Sequence, residues 1–231
     1  APLVKILPRL ETALANATLQ PVMQAFVDHH RERFSDGSRL LMMTSAGGLE
    51  PMEQFRPKDS LLSGPAGGVS GAAAIAEELG FSRVLTFDMG GTSTDVARYD
   101  DGFQYDFEQR VGDARVLAPA LRIETVAAGG GSICRWENGG LRVGPESAGA
   151  APGPASYGRG GPLTITDVNL LLGRIDPENF GIPLTASNLA AARDAALTLQ
   201  QEAGLGGDEP DAAFLAGLLD LTVEQMADAI R

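Results

Sequence analysis

From Arg9 onward, apolar residues Leu10, Leu14, Leu19, Val22, Met23, Phe26 and Val27 recur at helical spacing, with Pro21 inside the run. The pattern predicts two helices, or one kinked helix, ending about Phe34, with Asp36-Gly37 as the stop. Leu40 to Thr44 is a short apolar run bounded by Ser45-Ala46-Gly47-Gly48, which reads as a buried strand and a loop. Ser63-Gly64-Pro65 then precedes an Ala-rich amphipathic helix from Val69 to Leu79, with Gly80 as its C-cap. A strand over Val84–Phe87 follows. Val96–Tyr99, Asp100-Asp101-Gly102 and Phe103–Phe107 read as strand, tight turn, strand, and Leu117–Val126 offers one or two more strands.

Residues 144–162 hold so much Gly, Pro and Ala that neither helix nor sheet is favoured; a long site-lining loop and a low-complexity linker both fit. Beyond it, Thr166-Asp167 is expected to cap a short helix through Leu172, and Ser187 an Ala-rich helix to about Glu202. Asp211 should open a last helix carrying Phe214, Leu215, Leu218, Leu219, Leu221, Val223, Met226 and Ile230. These elements divide into a helical connecting segment (1–38), an α/β domain (39–181) and a truncated helical segment (182–231).

The chain has 231 residues, 44% of them hydrophobic and 21% charged, which suits a folded globular protein with a sizeable core. A formal charge of −12 argues against nucleic acid and anionic membrane as main partners, since both demand clustered Lys and Arg. No stretch approaches the ~18 apolar residues of a spanning helix, and the first residues do not form a basic-then-apolar leader; a cytoplasmic location is expected. The single cysteine, Cys134, reads as a buried structural thiol, and His29-His30 as a solvated pair on a polar helix face.

The densest chemistry lies in residues 84–95, Val-Leu-Thr-Phe-Asp-Met-Gly-Gly-Thr-Ser-Thr-Asp. An apolar strand ends in a carboxylate and opens into glycines and hydroxyls, the composition of a phosphate-binding turn. Glycine lets backbone N–H groups close on phosphate oxygens, hydroxyls add donors, and Asp88 and Asp95 are the candidates to hold Mg²⁺ or orient a water. Neither a Gly-Lys-Ser/Thr loop nor a Gly-x-Gly-x-x-Gly turn is present. Because a second strand follows, the glycines are placed at a β-hairpin tip. Such an Asp-x-Gly-Gly-Thr hairpin resembles those of the actin-like, sugar-kinase-like and heat-shock-chaperone ATPases, where each of two lobes offers one hairpin to ATP.

Three further blocks accompany it: Ser63-Gly64-Pro65-Ala66-Gly67-Gly68-Val69, Ala127-Ala128-Gly129-Gly130-Gly131-Ser132-Ile133, and the stretch from Val143-Gly144-Pro145 through Tyr157-Gly158-Arg159-Gly160-Gly161 to Thr164-Ile165-Thr166-Asp167. In this order they resemble the hydantoinase/oxoprolinase family, from about Leu40 to about Gly181. Members open cyclic amides such as hydantoins and 5-oxoproline with ATP, and relatives include acetone carboxylase subunits.

That resemblance implies an α/β fold of the ribonuclease-H-like (actin-like ATPase) type: one mixed sheet with flanking helices and a helical C-terminal part. It implies ATP and Mg²⁺, with Gly90, Gly91, Thr92, Ser93 and Thr94 on phosphate oxygens and Asp88 and Asp95 on metal or water. Gly129, Gly130, Gly131 and Ser132 either approach the ligand across the cleft or serve a close backbone crossing, which also needs glycines. Glu124 and Ser156 depart from residues frequent in relatives, which weakens a metal role at the first and a thiol role at the second. Arg159 reads as an exposed loop arginine, and Trp136 as packing beside a hairpin turn at Glu137-Asn138-Gly139-Gly140.

The implied chemistry is phosphorylation of an amide oxygen, which activates the carbon for water and drives ring opening. The implied partners are a small cyclic amide, the rest of the same polypeptide and a second hydantoinase-type subunit. Relatives carry another Asp-x-Gly-Gly-Thr hairpin upstream and a Gly-Gly-x-Gly-Pro segment downstream, both missing here. The chain is therefore expected to be an excised central portion, without ATP-dependent ring-opening activity alone. A carboxylase subunit and a non-catalytic domain of the same fold are the competing readings.

Overall fold

The computed structural model describes residues 5–34, 38–182 and 184–231. The expected Asp36-Gly37 stop lies outside them. The chain forms two compact units, one of residues up to Thr86 with Ala97–Ile123, the other of Phe87–Val96 with Glu124–Arg231.

In the first unit, helix α1 (Ile6–Arg31) contains Pro21, so of the two expected forms the single helix is the one present. Polar contacts anchor it. Glu11 Oε2 accepts from Arg115 N at 2.9 Å, Thr12 Oγ1 from Leu117 N at 2.9 Å, and Asn16 Oδ1 from Lys58 N at 3.1 Å. These side chains accept from the amides of Arg115, Leu117 and Lys58, far away in the sequence. Strands β1 (Leu41–Met43) and β2 (Leu49–Pro51) pair antiparallel; β1 is only half-buried, short of the buried strand expected.

Helix α2 (Ser63–Glu78) begins earlier than the pattern predicted. Ser63, Gly64 and Pro65 form its first turn, where the missing N–H of proline costs nothing because those donors have no intrahelical partner. Ala66, Val69, Ala73 and Ala76 make its buried stripe. It ends in a Schellman motif, with Phe81 N on Ala76 O (2.8 Å), Gly80 N on Glu77 O (3.0 Å) and Gly80 at φ +80°. The small core of this unit joins Ala66 and Val69 to Ala97 and Leu121.

The remaining strands are β3 (Arg83–Met89), β4 (Thr94–Asp100), β5 (Tyr105–Asp106), β6 (Gln109–Val111), β7 (Ala114–Val116), β8 (Ala120–Leu121), β9 (Ile123–Val126), β10 (Ser132–Glu137) and β11 (Gly140–Ser147). The expected single mixed sheet is not what the described residues form. Their strands make one three-stranded sheet, in the order β3-β4-β9, and four two-stranded ones: β1-β2, β5-β8, β6-β7 and β10-β11. Several strands are only two or three residues long, too short to build a broad ladder. The predicted strand over Phe103–Phe107 shrinks to β5, which pairs with β8.

In the second unit, β10 and β11 form a hairpin whose turn residues Asn138 and Gly139 both have positive φ (53° and 78°), the type I′ pattern that matches strand twist. Helices α3 (Ile165–Leu171), α4 (Ala186–Glu202) and α5 (Ala212–Ile230) complete it. Two caps lie two residues before the expected ones: Thr164 with Asp167 closes a capping box on α3, and Thr185 with Asn188 on α4. Asp211 caps α5 as predicted, accepting from Ala213 N and Phe214 N. Cys134 and Val143 from the hairpin meet Ile165, Val168, Leu199, Leu215 and Leu218 in the core. A fully buried residue such as Ile165 or Leu218 contributes about 1.5–3 kcal/mol relative to exposure.

The loop that follows β11 is ordered. Gly153, Pro154, Ala155 and Ser156 are buried, and a 3₁₀ turn spans Ala155–Tyr157. No described helix is long and apolar enough to cross a membrane.

Candidate functional site

β3 and β4 are neighbours in their sheet and only residues 90–93 separate them, so they form a hairpin; a parallel pair needs a far longer crossover. The predicted strand-turn-strand is therefore present, with Asp88 near the end of β3 and Asp95 near the start of β4. Gly90 N donates to Ser93 O at 2.9 Å and closes the turn.

The triple glycine 129–131 lies directly behind this turn. Gly130 N donates to Gly90 O at 3.0 Å and Gly131 N to Gly91 O at 2.6 Å. A Cβ on Gly129 would stand 2.7 Å from Gly90 O, 2.9 Å from Gly91 C and 2.9 Å from Ser93 N; one on Gly131 would stand 2.8 Å from Gly91 O. All of these atoms are backbone and have no rotamer with which to yield. Glycine at 129 and 131 is thus the condition for the two segments to touch.

This contact orients the turn. In a planar trans peptide the C=O of one residue and the N–H of the next point in opposite directions. With Gly90 O and Gly91 O both held by the glycine segment, the N–H groups of Gly91 and Thr92 face the other way. Gly90, Gly91 and Thr92 are exposed. Among the described residues, neither of those two N–H groups nor the hydroxyls of Thr92 and Ser93 has a hydrogen-bond partner. Two successive amides and two hydroxyls without partners at this turn are donors suited to an anion.

The other predicted site residues have different surroundings. Thr94 is fully buried and its hydroxyl donates to Ala128 O at 2.7 Å. Ser132 is fully buried and its Oγ accepts from Gly129 N at 2.9 Å. Asp95 Oδ1 accepts from Thr125 Oγ1 at 2.6 Å, while the Asp88 side chain is exposed. No group of three or more His, Cys, Asp or Glu residues among the described ones is arranged to hold a metal. A Mg²⁺ ion is nevertheless commonly held by one or two carboxylates together with phosphate oxygens, a donor set these two aspartates fit.

Elsewhere, Cys134 is buried as expected; desolvation, then the charge of Asp167, pushes its thiol from 9.0 up to about 12. His29 is exposed, and His30 Nδ1 lies 2.7 Å from Phe26 O within its own helix. Arg159 is exposed and reaches Ala150 O at 3.3 Å. Glu124 is exposed, and Ser156 is fully buried with its Oγ unpartnered.

Sequence reasoning missed the reach of Asp167 and Thr166. The buried Asp167 carboxylate accepts from Ala155 N (3.0 Å), Ser156 N (2.8 Å), Thr164 N (2.9 Å) and Thr164 Oγ1 (3.0 Å). Thr166 donates from both its N (2.7 Å) and its Oγ1 (2.8 Å) to Gly130 O. The capping-box spacing Thr164-x-x-Asp167 was the available local signal; the bond to Gly130, across 36 residues, has none.

Residues 9–231 match the Hydantoinase/oxoprolinase family model. The chain is 46% identical over 184 residues to 5-oxoprolinase of Saccharomyces cerevisiae, an alignment covering 78% of this chain and 14% of that protein. It is 37% identical over 180 residues to caprolactamase subunit alpha of Pseudomonas jessenii, covering 74% of this chain and 26% of the subunit. The ATP-dependent caprolactamase structure from Pseudomonas jessenii superimposes with a TM-score of 0.78 and 31% identity, over 99% of this chain and 34% of its own. Nucleotide-free acetone carboxylase does so with a TM-score of 0.76 and 26% identity, over 90% of this chain and 29% of its own. With its hairpin, its glycine segment and nearly its whole length matched, the chain belongs to the hydantoinase/oxoprolinase family.

Proposed function

We propose that this chain supplies one phosphate-binding hairpin of an ATP-dependent cyclic amide hydrolase, within a ribonuclease-H-like lobe. The observation that carries the reading is the outward pair of N–H groups at Gly91 and Thr92, fixed by the bonds of Gly90 O and Gly91 O to the glycine segment. The similarity to 5-oxoprolinase and caprolactamase supports the substrate class, a lactam-type ring. Because the chain spans 14% of that 5-oxoprolinase, the activity is proposed for the complete polypeptide, and turnover by this chain alone is not expected. A second subunit belongs to the same proposal, supported by the relative named as a subunit alpha. So does a cytoplasmic setting, where nucleotide is supplied.

Within that enzyme, the N–H groups of Gly91 and Thr92 and the hydroxyls of Thr92 and Ser93 bind phosphate oxygens. Preorganised donors of this kind stabilise charge that develops during transfer without reorganising at that moment. Thr94, Gly129, Gly130, Gly131 and Ser132 hold the shape of the cradle from behind. Asp88, with Asp95, would hold Mg²⁺ together with the phosphates or orient a water. ATP, when bound, supplies the phosphoryl group that turns an unreactive amide oxygen into one from which ring opening proceeds.

The test is Asp88→Ala in the complete enzyme, followed by ADP release coupled to opening of 5-oxoproline, a hydantoin or a lactam. The expected loss in kcat is about 100-fold or more, as for removal of other transition-state charge stabilisers. Rates near those of the parent would remove the hairpin from the phosphate site. Similarity to acetone carboxylase keeps a carboxylase as the second reading; ADP release that depends on bicarbonate and a ketone would favour it.

A further inference from the structure

We propose that Thr166 is a positioning residue for the Thr92 N–H group, acting through two intervening peptide groups. This rests on the reading of the hairpin tip as an anion cradle. Thr166 donates twice to Gly130 O, from its backbone N at 2.7 Å and from Oγ1 at 2.8 Å. The peptide that carries Gly130 O carries the Gly131 N–H on its opposite side, and that N–H donates to Gly91 O at 2.6 Å. The peptide that carries Gly91 O in turn carries the Thr92 N–H, aimed at the open side. The hydroxyl and the two peptides, the second ending in the free Thr92 N–H, thus stand head to tail, an arrangement in which each hydrogen bond polarises the next.

The geometry around the relay leaves little slack. A Cβ on Gly130 would stand 2.8 Å from Thr166 Oγ1, and one on Gly131 would stand 2.8 Å from Gly91 O and 2.7 Å from Ser147 Oγ. Gly131 O is itself held by Ala148 N at 2.9 Å. Thr166 stands at the second position of α3, and the buried Asp167 carboxylate fixes the loop and cap around it through four donors. The threonine is therefore a rigid support, its hydroxyl engaged on Gly130 O.

The experiment uses the 231-residue chain with Thr166→Val, Thr166→Ala and Thr166→Ser. Amide hydrogen exchange is read at Gly131, with Arg135, in a hydrogen-bonded pair of the β10–β11 ladder, and Val168, in α3, as references. The probe ligand is inorganic tripolyphosphate with Mg²⁺, its affinity read by titration. Losing one hydrogen bond should speed Gly131 exchange about tenfold in the Val and Ala variants, leave the references unchanged, and weaken tripolyphosphate binding several-fold. Thr166→Ser should restore both. The relay is overturned if Gly131 exchange keeps its parent rate in Thr166→Val and Thr166→Ala, or if the references accelerate equally, which marks a merely structural residue. Should no form of the chain bind tripolyphosphate, the anion reading fails, while the exchange data still decide whether Thr166 orients the turn.

Discussion

Gly129 lies against Gly90 so closely that a methyl group on Gly129 would stand 2.7 Å from Gly90 O. Gly129→Ala must therefore push backbone against backbone at the hairpin turn. The expected cost is about 1–3 kcal/mol in urea unfolding, in the range of other overpacked sites, together with loss of tripolyphosphate binding. Gly140→Ala is the control, since a Cβ there meets nothing within 4 Å. It should stay within about 0.5 kcal/mol of the parent. Equal effects from both substitutions would show that the close approach is not what glycine 129 serves.

Asp167 makes a second prediction. Its carboxylate, fully buried, is the shared acceptor for Ala155 N, Ser156 N, Thr164 N and Thr164 Oγ1. Asp167→Asn keeps the volume but turns an NH₂ group toward donors. The expected loss is about 3 kcal/mol, the scale of breaking a buried charged network, with the 148–162 loop becoming open to proteolysis. Parent-like stability and protease resistance in Asp167→Asn would show that the loop is held by other contacts.

Cys134 gives an alkaline signature. Its thiol ionises near 9.0 when unfolded and near 12 when folded, so the folded chain keeps the proton across that window. The contribution to stability is complete below about pH 9 and is lost as pH rises toward 12. Cys134→Ala should flatten the decline in stability measured over this range. Iodoacetamide at pH 8 should label the native thiol about 100-fold more slowly than the thiol in urea, because the thiolate is the nucleophile. Equal labelling rates would contradict the burial.

The hairpin was legible because a carboxylate, two glycines and three hydroxyl residues interrupt two apolar runs, and few other turns need that mixture. Asp211 was legible as a cap for the same local reason. The starts of α3 and α4 were misplaced by two residues because Thr-x-x-Asp and Thr-x-x-Asn were not weighed as reciprocal caps against the nearer Thr166 and Ser187. Ser63-Gly64-Pro65 looked like loop chemistry, yet a first helical turn tolerates all three residues. The 144–162 stretch was opaque: residues 144–147, where no sheet was expected, close strand β11, and the rest is held by Asp167 and other distant partners, not by local propensity. Glycines 129–131 carry no side chain to read, and nothing in their local sequence marks the close approach to Gly90 and Gly91.

The most direct measurement of the central claim is an amide-resolved NMR titration of the 231-residue chain with Mg²⁺-tripolyphosphate at millimolar concentrations, where even weak binding displaces shifts. The account predicts that the largest changes fall on the Gly91 and Thr92 N–H groups, with Gly130 and Gly131 following as their bonds to the turn tighten. Saturable binding that moves other amides and leaves Gly91 and Thr92 in place would contradict it.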